Sequence, residues 1–276
     1  MKKQPFLRLL RFLLLTLLIF SLSGCTQNPS AAYQKAINTF AEEEYEEAAK
    51  AFEKLGDYSQ AATYAAYSRG LILYDQGAYL EALPYFEKTQ HFMYGATRYT
   101  YCYGFFLESE NKFSEAMDAY LSLGDFEEAP IRAQYAKGRA AEMNADYPSA
   151  IFAFEAAGNC ADAPDRLESL RNQIYMRAIE LKTEKNYQEA LELFTLLGGY
   201  LSAAAQAKEC KDFLREELYT QAETLMNEGQ NQAAYELFGS LSGYRDAEML
   251  AYELGVLLGI PQEVDVAAPW GEEDLP

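Results

Sequence analysis

The stretch YQKAINTFAEEEYEEAAKAFEKL, Tyr33 to Leu55, contains two apolar stripes separated by the acidic break Glu42 to Glu44. In both stripes apolar residues recur every three or four positions, which gives a helix one face to bury. Ala36 and Ala48 stand within the two stripes. Because a small side chain at each place lets two helix axes approach closely, the stretch predicts a helical hairpin.

The hairpin pattern recurs six times along the chain. A tyrosine followed three residues later by alanine or glycine marks each first helix: Tyr33/Ala36, Tyr67/Gly70, Tyr101/Gly104, Tyr135/Gly138, Tyr175/Ala178 and Tyr219/Ala222. An alanine followed four residues later by an aromatic residue marks each second helix: Ala48/Phe52, Ala82/Phe86, Ala116/Tyr120, Ala150/Phe154, Ala190/Phe194 and Ala234/Phe238. The units step by 34, 34, 34, 40 and 44 residues, and both sets shift together. Self-similarity at this period predicts a solenoid in which each unit packs against its neighbours.

Turn residues and unit lengths refine this prediction. Glycines such as Gly56 follow the second helices and favour helix termination, while Asp57 with Gln60 has the spacing of a capping box for the next helix. Because units five and six start late, we expect longer first helices at about Arg166 to Lys182 and Ala203 to Met226. The last periodic segment, Arg245 to Leu258, predicts a helix that closes the array.

The pattern resembles the tetratricopeptide repeat, a 34-residue helical hairpin with a small residue in its first helix. The family also has an aromatic residue opening the second helix, followed by alanine and another aromatic residue. Two units carry these features at Gly70, Tyr79, Ala82 and Phe86, and at Gly138, Tyr147, Ala150 and Phe154. The resemblance implies an all-α, right-handed α-solenoid of about six hairpins with a C-terminal capping helix over residues 33–258. The family's closing proline is absent from every unit, which leaves the superhelical pitch open.

The N-terminus has the layout of an export signal. Basic residues precede an apolar run from Phe12 to Leu22, which is short for a membrane span, and Leu22-Ser23-Gly24-Cys25 follows. This ending resembles the lipobox of bacterial lipoproteins, so residues 1–24 are predicted to be a signal peptide and Cys25 to carry fatty acyl chains such as palmitate. An ordinary secretory signal or an uncleaved anchor are the alternatives. The lipoprotein reading predicts an extracytoplasmic protein anchored to a bacterial cell envelope, with residues 25–32 as a short tether.

Charge restricts the class of partner. The formal net charge is −19, and it becomes −23 without residues 1–24, because that segment has four basic and no acidic side chains. Such a surface repels the phosphate backbones of nucleic acids and favours cationic partners. The acidic residues 259–276, which include Trp270, are predicted to be disordered.

Nothing in the sequence indicates catalysis, a metal or a cofactor. His91 is the only histidine, and no spacing places a nucleophile and an orienting acid beside it. Cys102, Cys160 and Cys210 form no metal-binding pair, and we interpret them as reduced structural residues. No glycine-rich phosphate loop is present, and the acidic run at Glu42 lacks the ligand spacing of a calcium loop. A pair of glycan-cleaving carboxylates among 42 acidic residues is the remaining enzymatic alternative.

The candidate binding surface is the concave face that the family resemblance assigns to the first helices. Its predicted members are Tyr67, Tyr74, Arg98, Tyr101, Phe105, Arg132, Tyr135, Arg139 and Tyr175. Rigid aromatic anchors and arginines in an otherwise acidic chain suit a protein or peptide with an acidic segment. The alternative interpretation is that the tyrosines only pack between successive hairpins. The sequence predicts a non-enzymatic scaffold for a protein or peptide partner, or alternatively a glycan- or peptide-binding accessory lipoprotein of transport or wall assembly.

Overall fold

The computed structural model describes residues 28–261, which form thirteen α-helices and no β-strand. Residues 1–27 and 262–276 lie outside this range, and with them the predicted signal peptide, Cys25 and most of the predicted tail. The helices are α1 (Pro29–Ala41), α2 (Tyr45–Leu55), α3 (Ala61–Asp75), α4 (Tyr79–Lys88), α5 (Gly95–Ser109), α6 (Phe113–Leu121), α7 (Ala129–Met143), α8 (Tyr147–Ala157), α9 (Ala163–Thr183), α10 (Tyr187–Leu197), α11 (Ala203–Asn227), α12 (Asn231–Gly239) and α13 (Ala247–Leu257).

The helices follow the predicted hairpin order. The chain divides into two compact units, Met1–Pro164 and Asp165–Pro276. In the first unit consecutive helices pack against each other, from α1 with α2 to α7 with α8. In the second unit consecutive helices do so from α10 with α11 to α12 with α13. The rings of Tyr175 in α9 and Phe194 in α10 are also in contact. The predicted all-α, solenoid-like fold is therefore confirmed.

Small residues on the first helices and rings on the second helices interlock. A Cβ added to Gly104 would lie 2.4 Å from the Tyr120 ring, and one added to Gly138 would lie 2.6 Å from the Phe154 ring. Both rings are buried. At Gly104 and Gly138 a second-helix ring thus rests directly on the first-helix backbone, and a Cβ added there would overlap the ring.

The two long repeat steps are absorbed by longer first helices. The helices α3, α5 and α7 have 15 residues each, whereas α9 has 21 and α11 has 25. These differences of 6 and 10 residues equal the extra lengths of the fifth and sixth units. The extension lies before the repeat tyrosine, since Tyr67 is the seventh residue of α3 and Tyr219 is the seventeenth of α11. The prediction of longer first helices is confirmed.

The turns between units differ from the predicted capping boxes. Gly56 ends α2 with a φ of +57°, as expected of a glycine after a helix. However, the predicted pair of Asp57 with Gln60 is wrong. The helix α3 begins at Ala61, and its N-cap, Gln60, makes no side-chain capping bond. The chain forms an extra turn first, in which the Ala61 N–H donates to the Tyr58 carbonyl at 3.0 Å.

The predicted closing helix is present as α13. Its residues Ala247, Ala251 and Leu254 are buried in a cluster with Tyr219 and Phe238. Its opposite face is apolar but exposed, at Met249, Tyr252 and Val256. The helix therefore covers the last hairpin without presenting the polar outer face that terminal repeats usually have.

Candidate functional site

We call the six repeat tyrosines the tyrosine ladder. Four of them are buried, and Tyr67 and Tyr101, for example, are only 2% and 1% exposed, whereas Tyr33 and Tyr175 are half-buried. Each ladder ring contacts the second-helix ring of its own hairpin, with centroid separations from 5.4 to 6.3 Å. The ladder rings consequently contribute to the hairpin cores.

Three ladder hydroxyls bond to the residue that precedes the following first helix. Tyr135 donates to Asp162 Oδ1 at 2.7 Å, and Tyr219 donates to Asp246 Oδ1 at 2.5 Å. The hydroxyls of Tyr175 and Ser202 are 2.7 Å apart. In each case the partner lies 27 residues further along the chain. These bonds connect one hairpin to the start of the next, a link that the sequence pattern did not predict.

The second hairpin has a different arrangement around Arg98. The Arg98 Nη1 donates to the Tyr67 hydroxyl at 3.0 Å, and its Cζ lies 5.6 Å from the centre of the Tyr74 ring. The exposed Tyr94 ring lies on another side, 5.8 Å from the same carbon. Tyr67, Tyr74 and Arg98 are thus brought together as one cluster, as the predicted binding face requires.

Arg132 forms a half-buried ion pair on the next first helix. Its Nη1 lies 3.3 Å from Glu108 Oε2, and the side chains are only 17% and 13% exposed. Its Cζ also lies 4.3 Å from the centre of the Phe105 ring. Burial raises the pKa of Glu108, while the charge of Arg132 acts in the opposite direction. Tyr101 contacts Phe105 as well, with ring centroids 5.4 Å apart, so these predicted residues form a second cluster.

Arg139 lies two turns further along the same helix, α7. Its Nη1 donates to the Tyr135 hydroxyl at 3.1 Å, and its Nε lies 3.3 Å from Glu142 Oε2. The guanidinium group lies over the Phe113 ring, with the Cζ 4.2 Å from the ring centre. Arg132 and Arg139 therefore already have carboxylate partners within the first unit.

Tyr74 binds a carboxylate that the sequence did not indicate. Its hydroxyl donates to Glu127 Oε2 at 2.6 Å, across 53 residues of sequence. Burial, followed by this hydrogen bond, raises the pKa of Tyr74 well above its usual range. Of the nine predicted site residues, only Tyr175 belongs to the second unit. The other eight lie on α3, α5 and α7 of the first unit, and we call them the first-helix face.

The residues that sequence reasoning missed are Tyr94, Glu108 and Glu127. A signal for Tyr94 was present, because it occupies the residue before a first helix where other units have Gln60, Glu128 or Asp246. No such signal exists for Glu108 or Glu127. Each contacts a residue from a different helix, and the repeat register does not reveal that pairing.

Comparison with known proteins adds no assignment for this site. The chain matches no protein-family model, and no curated protein matches it. The resemblance to tetratricopeptide repeats accordingly depends on the repeat pattern. Among residues 28–261, no helix combines the length and apolar character needed to cross a membrane. Within the same range, no three histidine, cysteine or acidic side chains converge as a metal site.

Proposed function

We propose that this chain is a non-enzymatic scaffold of tetratricopeptide-like repeats that binds a protein or peptide through its first-helix face. One observation carries the proposal. Three partly buried guanidinium groups on that face, those of Arg98, Arg132 and Arg139, lie against aromatic rings. The chain as a whole is strongly acidic, with a net charge of −19.

This arrangement suits recognition because the cations are already positioned. Arginine and tyrosine are enriched among the residues that dominate binding energy at protein interfaces. Aromatic rings beside the guanidinium groups restrict them, so less side-chain entropy remains to be lost when a partner binds. The ion pairs with Glu108 and Glu142 orient Arg132 and Arg139 further. The face is therefore a preorganised surface, and Arg98 is its arginine without an ion pair among the described residues.

The proposed location is the outer side of a bacterial membrane, with Cys25 as the lipid-bearing residue. The lipobox-like Leu22-Ser23-Gly24-Cys25 supports this location. We expect metabolic labelling with a palmitate analogue to label the wild-type chain but not the Cys25→Ser variant. Labelling of both chains, or of neither, would contradict the anchor without affecting the proposed binding face.

A specific observation favours a second candidate, the glycan-binding accessory protein. Tyr99, Tyr103 and Phe106 form a stack along another side of α5, where other first helices have smaller or charged residues. Tyr99 and Tyr103 have ring centroids 5.8 Å apart and planes within 9°, and Tyr103 and Phe106 are 5.7 Å apart with planes within 22°. Aromatic rings can pack against sugar rings. Retention of the full chain on purified wall glycan, lost in Tyr103→Ala and kept in Arg98→Glu, would favour this candidate.

Site-specific photo-crosslinking in living cells tests the main proposal. A benzoylphenylalanine placed at Tyr94, which is 68% exposed beside Arg98, should capture a protein partner. The matched position is Phe152 on α8, which is 64% exposed and lies beside Lys137. We expect a discrete product from position 94 alone. That product should disappear with Arg98→Glu and persist with Arg177→Glu, whose arginine is exposed in the second unit. Identical products from both positions would contradict the proposal.

A further inference from the structure

Only two tyrosines of the ladder, Tyr135 and Tyr219, bond to a carboxylate, and Tyr67 is among those without such a link. Counting 27 residues from Tyr67 leads to Tyr94, whereas the same count from Tyr135 and Tyr219 leads to Asp162 and Asp246. Tyr94 has no carboxylate, and its side chain makes no capping bond to α5. Among residues 28–261, the Tyr67 oxygen instead accepts a hydrogen bond from Arg98 Nη1. The Tyr67 hydroxyl proton consequently has no acceptor among the described residues.

Arg98 is the arginine of the first-helix face without a carboxylate partner. Within the described part of the chain it forms no ion pair, unlike Arg132 and Arg139. Its Nε is buried and has no hydrogen-bond partner there, as is also true of the Arg132 Nε, so the missing carboxylate is what distinguishes Arg98. A guanidinium group normally satisfies its donors with carboxylates or carbonyls, and leaving one desolvated donor unpaired is costly. Two kinds of donor, an N–H group and a hydroxyl, are thus unsatisfied at one place.

We propose that Arg98 and Tyr67 form an anion site for an aspartate or glutamate side chain of the bound protein segment. This inference rests on the proposed function, and it defines the chemistry of the partner at one position. The incoming carboxylate would accept from the Tyr67 hydroxyl as Asp162 and Asp246 accept from their tyrosines. It would also accept from Arg98, which has unused donors and lies against the Tyr74 and Tyr94 rings.

The surroundings favour a single negative charge over a phosphate group. Glu127 is bonded to Tyr74, whose ring centre lies 5.6 Å from the Arg98 Cζ. The Arg98 guanidinium group therefore already has one carboxylate in its vicinity. A carboxylate brings one charge, whereas a phosphate monoester brings nearly two. Tight recognition of phosphate commonly uses several arginines, and Arg132 and Arg139 are already engaged.

A random-peptide display library is the probe, and the full-length lipid-anchored protein in nanodiscs is the target. Peptides selected on the wild type should share an aspartate or glutamate at one position. Replacing that residue by asparagine or glutamine should weaken binding to the wild type about tenfold or more. The Arg98→Gln and Tyr67→Phe variants should lose this preference. The matched control, Arg69→Gln, should keep it, because Arg69 is paired with Glu46 and Glu53 elsewhere on the repeat.

A second variant fills the proposed anion site with a carboxylate of the chain itself. Tyr94→Asp supplies a carboxylate at the position equivalent to Asp162 and Asp246, within reach of the Tyr67 hydroxyl. We expect this variant to have a raised melting temperature, because the new carboxylate accepts from the Tyr67 hydroxyl, and to bind the selected peptides at least tenfold more weakly. Tyr94→Asn is its neutral control and should block the peptides less.

The outcomes separate this inference from the proposed function. The anion site would be overturned if peptides selected on the Arg98→Gln variant carried the same acidic residue. It would also be overturned if peptides selected on the wild type showed no preference for an acidic residue. Unchanged peptide binding by a folded Tyr94→Asp variant would also overturn it. If the acidic preference holds but position 94 captures no protein in cells, the anion site stands and the proposed scaffold function fails.

Discussion

The Tyr135 hydroxyl donates a 2.7 Å hydrogen bond to Asp162 Oδ1, 27 residues further along the chain. The ring of Tyr135 packs inside its own hairpin, while the hydroxyl reaches the residue that precedes the next first helix. A single side chain therefore contributes both to the core of a repeat and to the connection with the following repeat. This division explains how the ladder can be buried and still carry polar contacts.

Removing this hydroxyl should destabilise the protein, because the bond to Asp162 and the bond accepted from Arg139 are both lost. We expect Tyr135→Phe to lower the free energy of unfolding by about 1–2 kcal/mol, since a hydrogen bond to a charged acceptor is lost. Urea denaturation monitored by circular dichroism measures the change. Tyr33→Phe is the control, because the Tyr33 hydroxyl makes no side-chain hydrogen bond within residues 28–261, and it should be nearly neutral. Equal effects of both substitutions would contradict the link.

The interlock of small residues and rings predicts a large effect at Gly104. The added Cβ in Gly104→Ala would overlap the buried Tyr120 ring at 2.4 Å, so we expect a loss of about 1–3 kcal/mol in unfolding free energy. Gly239→Ala is the matched control. Gly239 is also helical, and nothing lies within 4 Å of its added Cβ, so this substitution should be neutral or stabilising by up to about 1 kcal/mol. A neutral Gly104→Ala would disprove the close contact.

Breaking the ion pair of Arg132 with Glu108 should strongly destabilise the protein. Replacing Arg132 by methionine leaves the largely buried Glu108 carboxylate without its cation, and we expect a loss of about 3 kcal/mol at neutral pH. The control is Arg177→Met, which breaks the exposed pair with Glu180 and should cost less than about 1 kcal/mol. Thermal unfolding at several pH values measures the loss of stability in both variants. The loss caused by Arg132→Met should become smaller in acid, because Glu108 becomes protonated and no longer needs a cation. A pH-independent deficit would contradict this explanation.

The Tyr219 link predicts a feature of the alkaline titration. The hydrogen bond to Asp246, together with burial, raises the pKa of Tyr219 from 10.0 to about 12. Because the folded-state pKa is the higher one, the stabilisation is complete below pH 10 and is lost as the pH rises through about 12. Asp246→Asn should lower the pKa toward its ordinary value. Carbon-13 NMR with selectively labelled tyrosine measures this pKa, and the resonance of Tyr219 is assigned as the one that is missing in Tyr219→Phe. An unchanged pKa of Tyr219 in the Asp246→Asn variant would contradict the link.

Much of the fold was predictable because it depends on local periodicity. The six hairpins and the long helices α9 and α11 follow from where apolar and small residues recur, and each helix buries the face that its own sequence makes apolar. The capping pair at Asp57 was predicted wrongly for a related reason. Spacing indicates which side chains could cap a helix, but the extra turn at Tyr58 determines where α3 begins.

The sequence predicted which residues belong to the candidate site but not how those residues are paired. The register placed Arg98, Arg132 and Arg139 on the first-helix face, and the structure adds which of them are paired. Pairing depends on a carboxylate from a different helix, as with Glu108 and Arg132, whose separation along the chain is 24 residues. Hydrogen bonds and ion pairs require atoms to meet within a few tenths of an ångström, and the repeat period does not specify positions to that accuracy.

The amino-acid sequence by itself determined the array of helical hairpins, the lengths of its first helices and the small-to-aromatic contacts inside each unit. These properties follow from residue size and apolar period, which act over a few turns of helix. Only the tertiary structure decided that the ladder hydroxyls reach the next repeat, that Arg132 and Arg139 have carboxylate partners and that Arg98 lacks one. The physical reason is that a polar contact depends on the distance between two side chains brought together by packing.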